Sequence, residues 1–243
     1  PRGLGFRPLP VEFQDMRLER AYAQSGIGGY GVTYRKERRP VGDEHRVVQL
    51  GPSAFLEAIA SDYERFRVTC YDPDDMRETH APGHHQFCVG RVVLDADVVI
   101  NLPKLKTHDL TTLTCALKNQ VGILPGGTKC NMHQPADTPA RLAVAVAELA
   151  EAVPFDLALV DAVVGLHGGG SRRGRPVRAG FVAAGADLVA VDAVCGALVG
   201  IPPEDVGVTC VAGAKGLGEP RLDRIRVTGL PSTDPLVVFE RAG

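Results

Sequence analysis

Two short apolar runs rich in β-branched residues constrain the fold of this chain more than any other feature. They span residues 97–102 and 155–160, and each is too short for a helix of ordinary length. Runs of this kind are typical of strands buried on both faces of a parallel sheet. Segments with helical composition lie at residues 111–121, 139–152 and 187–199. We therefore expect an α/β fold, with a mainly parallel, doubly wound sheet and helices on both faces.

One domain is sufficient for most of the chain. We expect residues 47–243 to form a single α/β domain, preceded by an irregular and incomplete amino-terminal segment at residues 1–46. The stretch 162–175 contains five glycines and is predicted to be a loop. Further strands are predicted at residues 47–50, 65–71, 86–94, 181–184 and 225–227.

Charge and hydropathy exclude several classes of function. The chain of 243 residues has a net charge of -2, so it has no overall basic field that could hold a nucleic acid backbone. No apolar run approaches the roughly 18 to 20 residues of a membrane span, and no signal peptide is visible. We expect a cytoplasmic protein that binds neither nucleic acid nor membrane, and the sequence leaves its oligomeric state open.

The six cysteines are widely spaced and include no Cys-x-x-Cys pair. This spacing argues against a disulfide framework and against zinc or iron–sulfur ligation by this chain. Most of the cysteines are expected to be small core residues. Cys130 is the exception, because Lys129 and His133 lie near it in the sequence and could activate its thiol.

Lysines are concentrated in one segment. Four of the six lie between Lys104 and Lys129, whereas 21 arginines are spread over the chain. An ammonium is a compact charge whose pKa shifts readily, and His108 and His133 in the same segment can titrate near neutrality. A solvated basic face is the alternative interpretation. The interleaved Asn, Pro, Thr and Gly residues, in place of acidic partners, favour a site.

The predicted site combines this segment with Asp161, which follows the second apolar run. In open α/β sheets, ligands bind beyond the carboxyl ends of the strands, so the two segments are expected to share a crevice. The candidate catalytic residues are Lys104, Lys106, His108, Lys118 and His133. The candidate substrate-binding residues are Asn101, Thr107, Asn119, Lys129 and Asp161. A divalent metal could join them, with His108, His133 and Asp161 as ligands.

Such a site suits an enzyme that acts on a small carboxylate- or phosphate-bearing substrate. A histidine would serve as general acid or base, and the fixed cations would stabilise developing negative charge. A lyase, isomerase or hydrolase fits better than an enzyme using a dinucleotide or ATP, because neither phosphate-binding fingerprint is present. The alternative is a non-catalytic module, a redox accessory that binds an anion or a cofactor. Asp161 could instead cap a loop, and Asp187 and Asp192 are interpreted as cap and packing residues.

Residues 98–108 resemble the signature of the DUF362 family, and their block Pro-Lys-Leu-Lys-Thr-His is the most specific part of the resemblance. The similarity spans roughly residues 92–227. It continues through Ala-Leu-Lys-Asn at 116–119, Gly122, Pro125-Gly126, His133, 160–165, 183–192, 200–203 and 216–218.

The resemblance implies little about activity, because the family is largely uncharacterised. Its members are often described as iron–sulfur centre proteins, since many carry a ferredoxin-like segment with clustered cysteines. This chain has no such cluster of cysteines, so a bound iron–sulfur cluster is not expected. The family's amino-terminal strand with a Lys-Pro-Asn motif is also missing from the sequence, which fits an incomplete chain.

Overall fold

A computed structural model of the chain describes residues 23–25, 32–34, 45–49, 86–124, 138–230 and 232–242. The strands of the described residues are β1 (Ala23–Ser25), β2 (Val32–Tyr34), β3 (His45–Gln49), β4 (Gln86–Gly90), β5 (Ile100–Asn101), β6 (Lys104–His108), β7 (Thr112–Thr114), β8 (Leu157–His167), β9 (Arg175–Val177) and β10 (Phe181–Gly185). The α-helices are α1 (Arg91–Leu94), α2 (Ala116–Asn119), α3 (Pro139–Ala152), α4 (Gly170–Arg173), α5 (Leu188–Leu198) and α6 (Gly207–Ala214). Short 3-10 helices span Gln120–Ile123, Pro203–Asp205 and Leu222–Arg224.

The main sheet is built around β8, which contacts four other strands. On one side β8 is parallel to β5 and β6, and on the other side it is antiparallel to β9 and β10. Strand β7 pairs antiparallel with β6. Two small antiparallel sheets, β1–β2 and β3–β4, are separate from it, and β1 and β2 both lie in the segment predicted to be irregular. The predicted α/β class is confirmed.

The two faces of this sheet differ in their cover. Ala158, Val160 and Ala162 of β8 are fully buried, whereas Leu159 and Asp161 between them are exposed. Strand β6 alternates in the same way. Helices α2, α3, α5 and α6 pack together over the buried side chains, and α2 and α5 contact β8. We call this side the helix-covered face and the opposite side the open face.

Helices α3 and α5 begin where the sequence predicts. The side chain of Thr138 accepts a hydrogen bond from Arg141 N at 3.3 Å, and Pro139 occupies the first turn, where its missing N–H costs nothing. Asp187 Oδ1 accepts a hydrogen bond from Ala190 N at 2.8 Å and caps α5. The predictions for residues 139–152, for the Asp187 cap and for a strand at residues 181–184 are therefore confirmed.

Several local predictions are wrong. Residues 111–121 form a strand, a one-turn helix and a 3-10 turn in place of one helix, because residues 112–114 pair with β6. The predicted loop at 162–175 contains the second half of β8, helix α4 and the start of β9. Residues 225–227 pair with no strand of the described part of the chain. The prediction at 65–71 lies outside the described residues.

Among the residues that the structure describes, no helix has both the length and the hydrophobicity that a membrane span needs.

Candidate functional site

Strand β6 presents three of the predicted catalytic residues on the open face. Lys104, Lys106 and His108 alternate with the fully buried Leu105 and Thr107. Side chains two residues apart on a strand project from the same face at a spacing of roughly 7 Å. The sequence predicts these residues in a loop after a strand, and the structure instead places them along a strand, in a row.

Lys104 and Asp161 form an ion pair across the open face. The two residues are partners in the parallel ladder between β6 and β8, and Lys104 Nζ donates a hydrogen bond to Asp161 Oδ2. The other carboxylate oxygen, Oδ1, accepts from Val163 N at 3.0 Å. These two hydrogen bonds, and the charge of Lys104, lower the pKa of Asp161. Asp161 therefore stays ionised and largely neutralises Lys104, and it lies within β8 rather than at its end.

Lys106 differs from Lys104 in its surroundings. It is half-buried and faces Thr114 of β7 and Leu166 of β8. Its ammonium forms no ion pair or hydrogen bond with any residue of the described part of the chain. An ammonium without an acceptor on the protein can pair with an anion from outside, so this position favours an anionic ligand.

The imidazole of His108 is oriented by the turn that follows β6. Its Nδ1 accepts hydrogen bonds from Leu110 N at 3.1 Å and from Thr111 N at 3.3 Å. Because a backbone N–H can only donate, Nδ1 is unprotonated and Nε2 carries the proton. The side chain is thus held as an Nε2–H donor. The same turn holds Thr112 at φ 60°, a left-handed conformation that is rare for a β-branched residue.

Two predicted substrate-binding residues bind each other. Asn119 Nδ2 donates to Asn101 Oδ1 at 2.7 Å, and Asn101 Nδ2 donates to Ala116 O, also at 2.7 Å. Asn101 is buried and is the ladder partner of Ala158 on β8, whose side chain lies on the helix-covered face. The amide of Asn101 is therefore occupied in tying β5 to α2.

The structure divides the predicted site between the two faces of the sheet. Thr107 is fully buried, and its hydroxyl has no hydrogen-bond partner among the described residues. Lys118 is 7% exposed and lies on α2, which packs against α3 and α5. The open face holds Lys104, Lys106, His108 and Asp161, and the helix-covered side holds Asn101, Thr107, Lys118 and Asn119.

Lys129 and His133 lie outside the described residues, as does Cys130. The proposed metal ligands among the described residues are His108 and Asp161. The first offers its Nδ1 to two backbone N–H groups, and the second is paired with Lys104. No group of three or more His, Cys, Asp or Glu residues in the described part of the chain is arranged to hold a metal ion.

Asp192 is a buried carboxylate that holds α2 in place. Its Oδ1 accepts from Ala116 N at 2.6 Å, and Leu117 N lies 3.3 to 3.4 Å from its two oxygens. Burial raises the pKa of Asp192 to about 7, although hydrogen bonds from the Cys115 thiol and from these N–H groups oppose the shift. Burial, followed by the nearby Cys195, also raises the pKa of Cys115 well above its usual value.

The packing role predicted for Asp192 is correct, but the residues that it contacts are distant in the sequence. It caps a helix that begins 76 residues earlier in the chain. The sequence does carry a signal for a special role, since Asp192 is the one charged residue in the otherwise apolar segment 188–198. A carboxylate at such a position needs hydrogen-bond donors when it is buried.

The fold and site together define an α/β protein with a row of basic side chains on the open face of a mixed sheet. The family model for "Domain of unknown function (DUF362)" matches residues 53–197, more than half of the chain. The chain therefore belongs to the DUF362 family, as its motifs predict. All the described candidate residues lie within the matched region.

A curated relative is the "Thylakoid-associated protein sll1697" of Synechocystis sp.. It is 34% identical over 129 residues, an alignment that covers 53% of this chain and 40% of the relative. The chain thus spans less than half the length of that protein. No solved structure matches the chain.

Proposed function

We propose that the open face of the sheet binds a small carboxylate- or phosphate-bearing molecule. Lys106 supplies the principal positive charge, and His108 lies next to it on the open face of β6. The observation that carries the proposal is the half-buried side chain of Lys106, whose ammonium has no acceptor among the described residues. An external anion would supply the acceptor that the described residues do not provide.

Catalysis on the bound anion is the second candidate. Nδ1 of His108 already accepts two backbone N–H groups, so proton abstraction by this imidazole would require both hydrogen bonds to break. The arrangement better suits electrostatic stabilisation, in which a fixed donor and a cation hold charge as it develops. An enzyme of the lyase, isomerase or hydrolase type would then use Lys106 and His108 for this purpose. A non-catalytic redox accessory would use the same contacts only for binding.

Replacing Lys106 with alanine tests the proposal. We expect the affinity for inorganic phosphate and for succinate to fall at least about tenfold, the usual effect of removing one charge-assisted hydrogen bond. Isothermal titration at low ionic strength would measure both ligands. Lys215→Ala is the matched control, because Lys215 pairs with Glu151 on the helical side and lies away from the site. Equal affinities in the two variants would exclude Lys106 as the anion ligand.

In the same titration, the variant Asp161→Asn should bind phosphate more tightly than the parent protein. Asp161→Asn keeps an oxygen for Val163 N but removes the carboxylate that neutralises Lys104. We expect phosphate to bind about three- to tenfold more tightly in low salt and the gain to shrink at physiological ionic strength. Asp223→Asn removes the same charge from the exposed 3-10 turn and should change nothing. No gain in Asp161→Asn would place the anion away from Lys104.

We also propose the cytoplasm as the location of the protein. Three described cysteines, Cys115, Cys195 and Cys210, are free thiols, and a reducing compartment preserves such thiols. The relative described above is thylakoid-associated by its name, so membrane association is the alternative to test. We expect the protein in the supernatant after cell lysis and ultracentrifugation. Recovery in the membrane pellet would contradict this location.

A further inference from the structure

Part of the open face consists of exposed apolar side chains. Four large ones, from three neighbouring strands, are 41% to 58% exposed, and we call them the apolar patch: Ile100, Leu159, Val163 and Val182. They are four of the ten large apolar side chains that are exposed in the described part of the chain. A group of exposed apolar side chains on one surface usually marks a site of association.

The pairing of the strands makes the patch continuous. Val182 of β10 is the ladder partner of Asp161. Leu159 and Val163 are the residues on either side of Asp161 that share its face of β8. Ile100 of β5 lies on the opposite side of β8 from β10. Neighbouring strands are about 4.8 Å apart and residues of one face about 7 Å apart along a strand, so the four side chains form one surface.

The exposure of this patch is unusual for a sheet with parallel strands. Parallel strands are normally covered on both faces, and β8 is parallel to β5 and β6. Helices α2, α3, α5 and α6 cover one face of this sheet, whereas Leu159 and Val182 on the other face remain exposed. A second layer on the open face would remove their apolar surface from water.

The patch surrounds one ion pair and carries no net charge. Asp161 is the one charged residue in segment 157–163 of β8, and β5 and β10 contain none. Its partner Lys104 lies beside it on β6. Both side chains are about half exposed, so each can also contact a charge from outside the chain. A complementary surface is therefore apolar and carries one acidic and one basic group in the reverse order.

A second copy of this chain provides such a surface. With a two-fold axis that runs along the strands, between β6 and β8, Lys104 of each copy lies opposite Asp161 of the other. This axis keeps the strands of the two sheets aligned, which is a usual arrangement of sheets packed face to face. It also brings β8 of one copy over β5 of the other, where Leu159 and Ile100 can meet. Two-fold interfaces of identical subunits require this kind of self-complementary surface.

We propose that the chain forms a symmetric homodimer through the apolar patch, with ion pairs between Lys104 of each copy and Asp161 of the other. Burial of the patch drives the association, and the ion pairs fix the orientation of the two copies. Lys106 and His108 lie further along β6 and outside the patch, so the dimer does not depend on the anion site.

Sedimentation velocity of the full chain would measure the dimer, in reducing buffer because Cys210 is an exposed thiol. We expect the sedimentation coefficient to rise toward that of a dimer between about 1 and 200 µM. Leu159→Glu and Val182→Glu each place a carboxylate in the patch and should raise the dissociation constant at least about tenfold. Val238→Glu is the matched control, because Val238 is 69% exposed but lies beside Gly200 on the helical side.

Two charge reversals test the role of the ion pair. Lys104→Asp leaves the patch with two carboxylates, and Asp161→Lys leaves it with two ammonium groups. Each variant alone should dimerise at least about tenfold more weakly than the parent, because like charges then meet across the interface. An equimolar mixture of the two should form dimers again, since one face is acidic and the other basic. Misfolded variants would not recover on mixing.

Three outcomes would overturn the proposal. A chain that stays monomeric at every concentration would assign the patch to a different partner. Dimers that Leu159→Glu and Val182→Glu leave intact would place the interface on another surface. Charge-reversal variants that each dimerise as well as the parent would exclude the ion pairs from the interface.

Discussion

Replacing Asp192 with asparagine is expected to raise the free energy of unfolding by roughly 2 to 4 kcal/mol at pH 8 and to lower it by at most about 2 kcal/mol at pH 4. Burial raises the pKa of this carboxyl from its ordinary value of 3.8 to about 7. Between these two values the folded chain binds a proton that the unfolded chain releases. Stability from this group is therefore greatest below about pH 4 and is lost as the pH rises to about 7.

This rise in the pKa of Asp192 corresponds to about 4 kcal/mol of stability lost over that range. Asparagine keeps an oxygen for Ala116 N and carries no charge, so the loss should disappear. The amide N–H groups of asparagine have no hydrogen-bond acceptor at this site. The expected gain in stability at pH 8 is therefore smaller than the stability that Asp192 loses by ionising.

Urea unfolding at pH 4, 5, 6, 7 and 8 would measure this effect. Asp187→Asn is the matched control, since Asp187 is also an aspartate that caps a helix but is only half-buried. Its variant tests whether the effect arises at any aspartate that caps a helix. Parallel curves for Asp192→Asn and the parent would show that Asp192 is ionised in the folded state throughout this range.

Replacing Asn101 with alanine is expected to destabilise the protein by roughly 2 to 4 kcal/mol and to leave phosphate binding unchanged. The substitution creates a small cavity beside β5 and removes the donor to Ala116 O and the acceptor for Asn119. All of these contacts lie on the helix-covered side, whereas the proposed anion site lies on the open face. Thermal unfolding and phosphate titration of the same preparation would measure both quantities.

Asn119→Ala serves as the comparison for this variant. Asn119 is exposed, so its loss should cost only about 1 kcal/mol, chiefly because the buried Oδ1 of Asn101 then lacks a donor. If Asn101→Ala kept its stability but lost phosphate binding, the substrate-orienting role predicted from the sequence would be correct and the structural one wrong.

Local signals in the sequence were sufficient to predict the helices whose first residues include a capping side chain. Helix α3 has a threonine cap, a proline in its first turn and apolar residues at helical spacing, and its predicted range matches the structure. Helix α5 has the Asp187 cap. These features act within a few residues of each other, so they can be read without knowing the fold.

Elements that depend on distant partners were harder to predict. Residues 112–114 form a strand because β6 lies beside them, and α2 begins where it does because Asp192 accepts its first N–H groups. Neither partner is visible in the local composition of residues 111–121. Helical propensity is a weak guide where tertiary pairing competes with it.

The residues of the predicted site form only part of one spatial cluster. Lys104, Lys106 and His108 do share a surface, because strand geometry projects every second residue to the same side. Lys118 and Asn119 follow them closely in sequence, yet the chain turns through β7 to the other side of the sheet before it reaches them. Proximity in sequence therefore overstated their proximity in space.

The alternation along β8 also bears on which substitutions the protein should tolerate. Ala158, Val160 and Ala162 have no exposed surface, so larger side chains there would force the helices away from the sheet. Leu159 lies between them and could be exchanged for polar residues at little cost. The alternation of buried and exposed residues stops at residues 163 and 164, which are both exposed valines. From this point along the strand, the positions that accept polar substitutions should no longer be every second residue. Saturation mutagenesis of β8 would thus show which positions face the helices and which lie on the open face, because only the latter should accept polar or large residues.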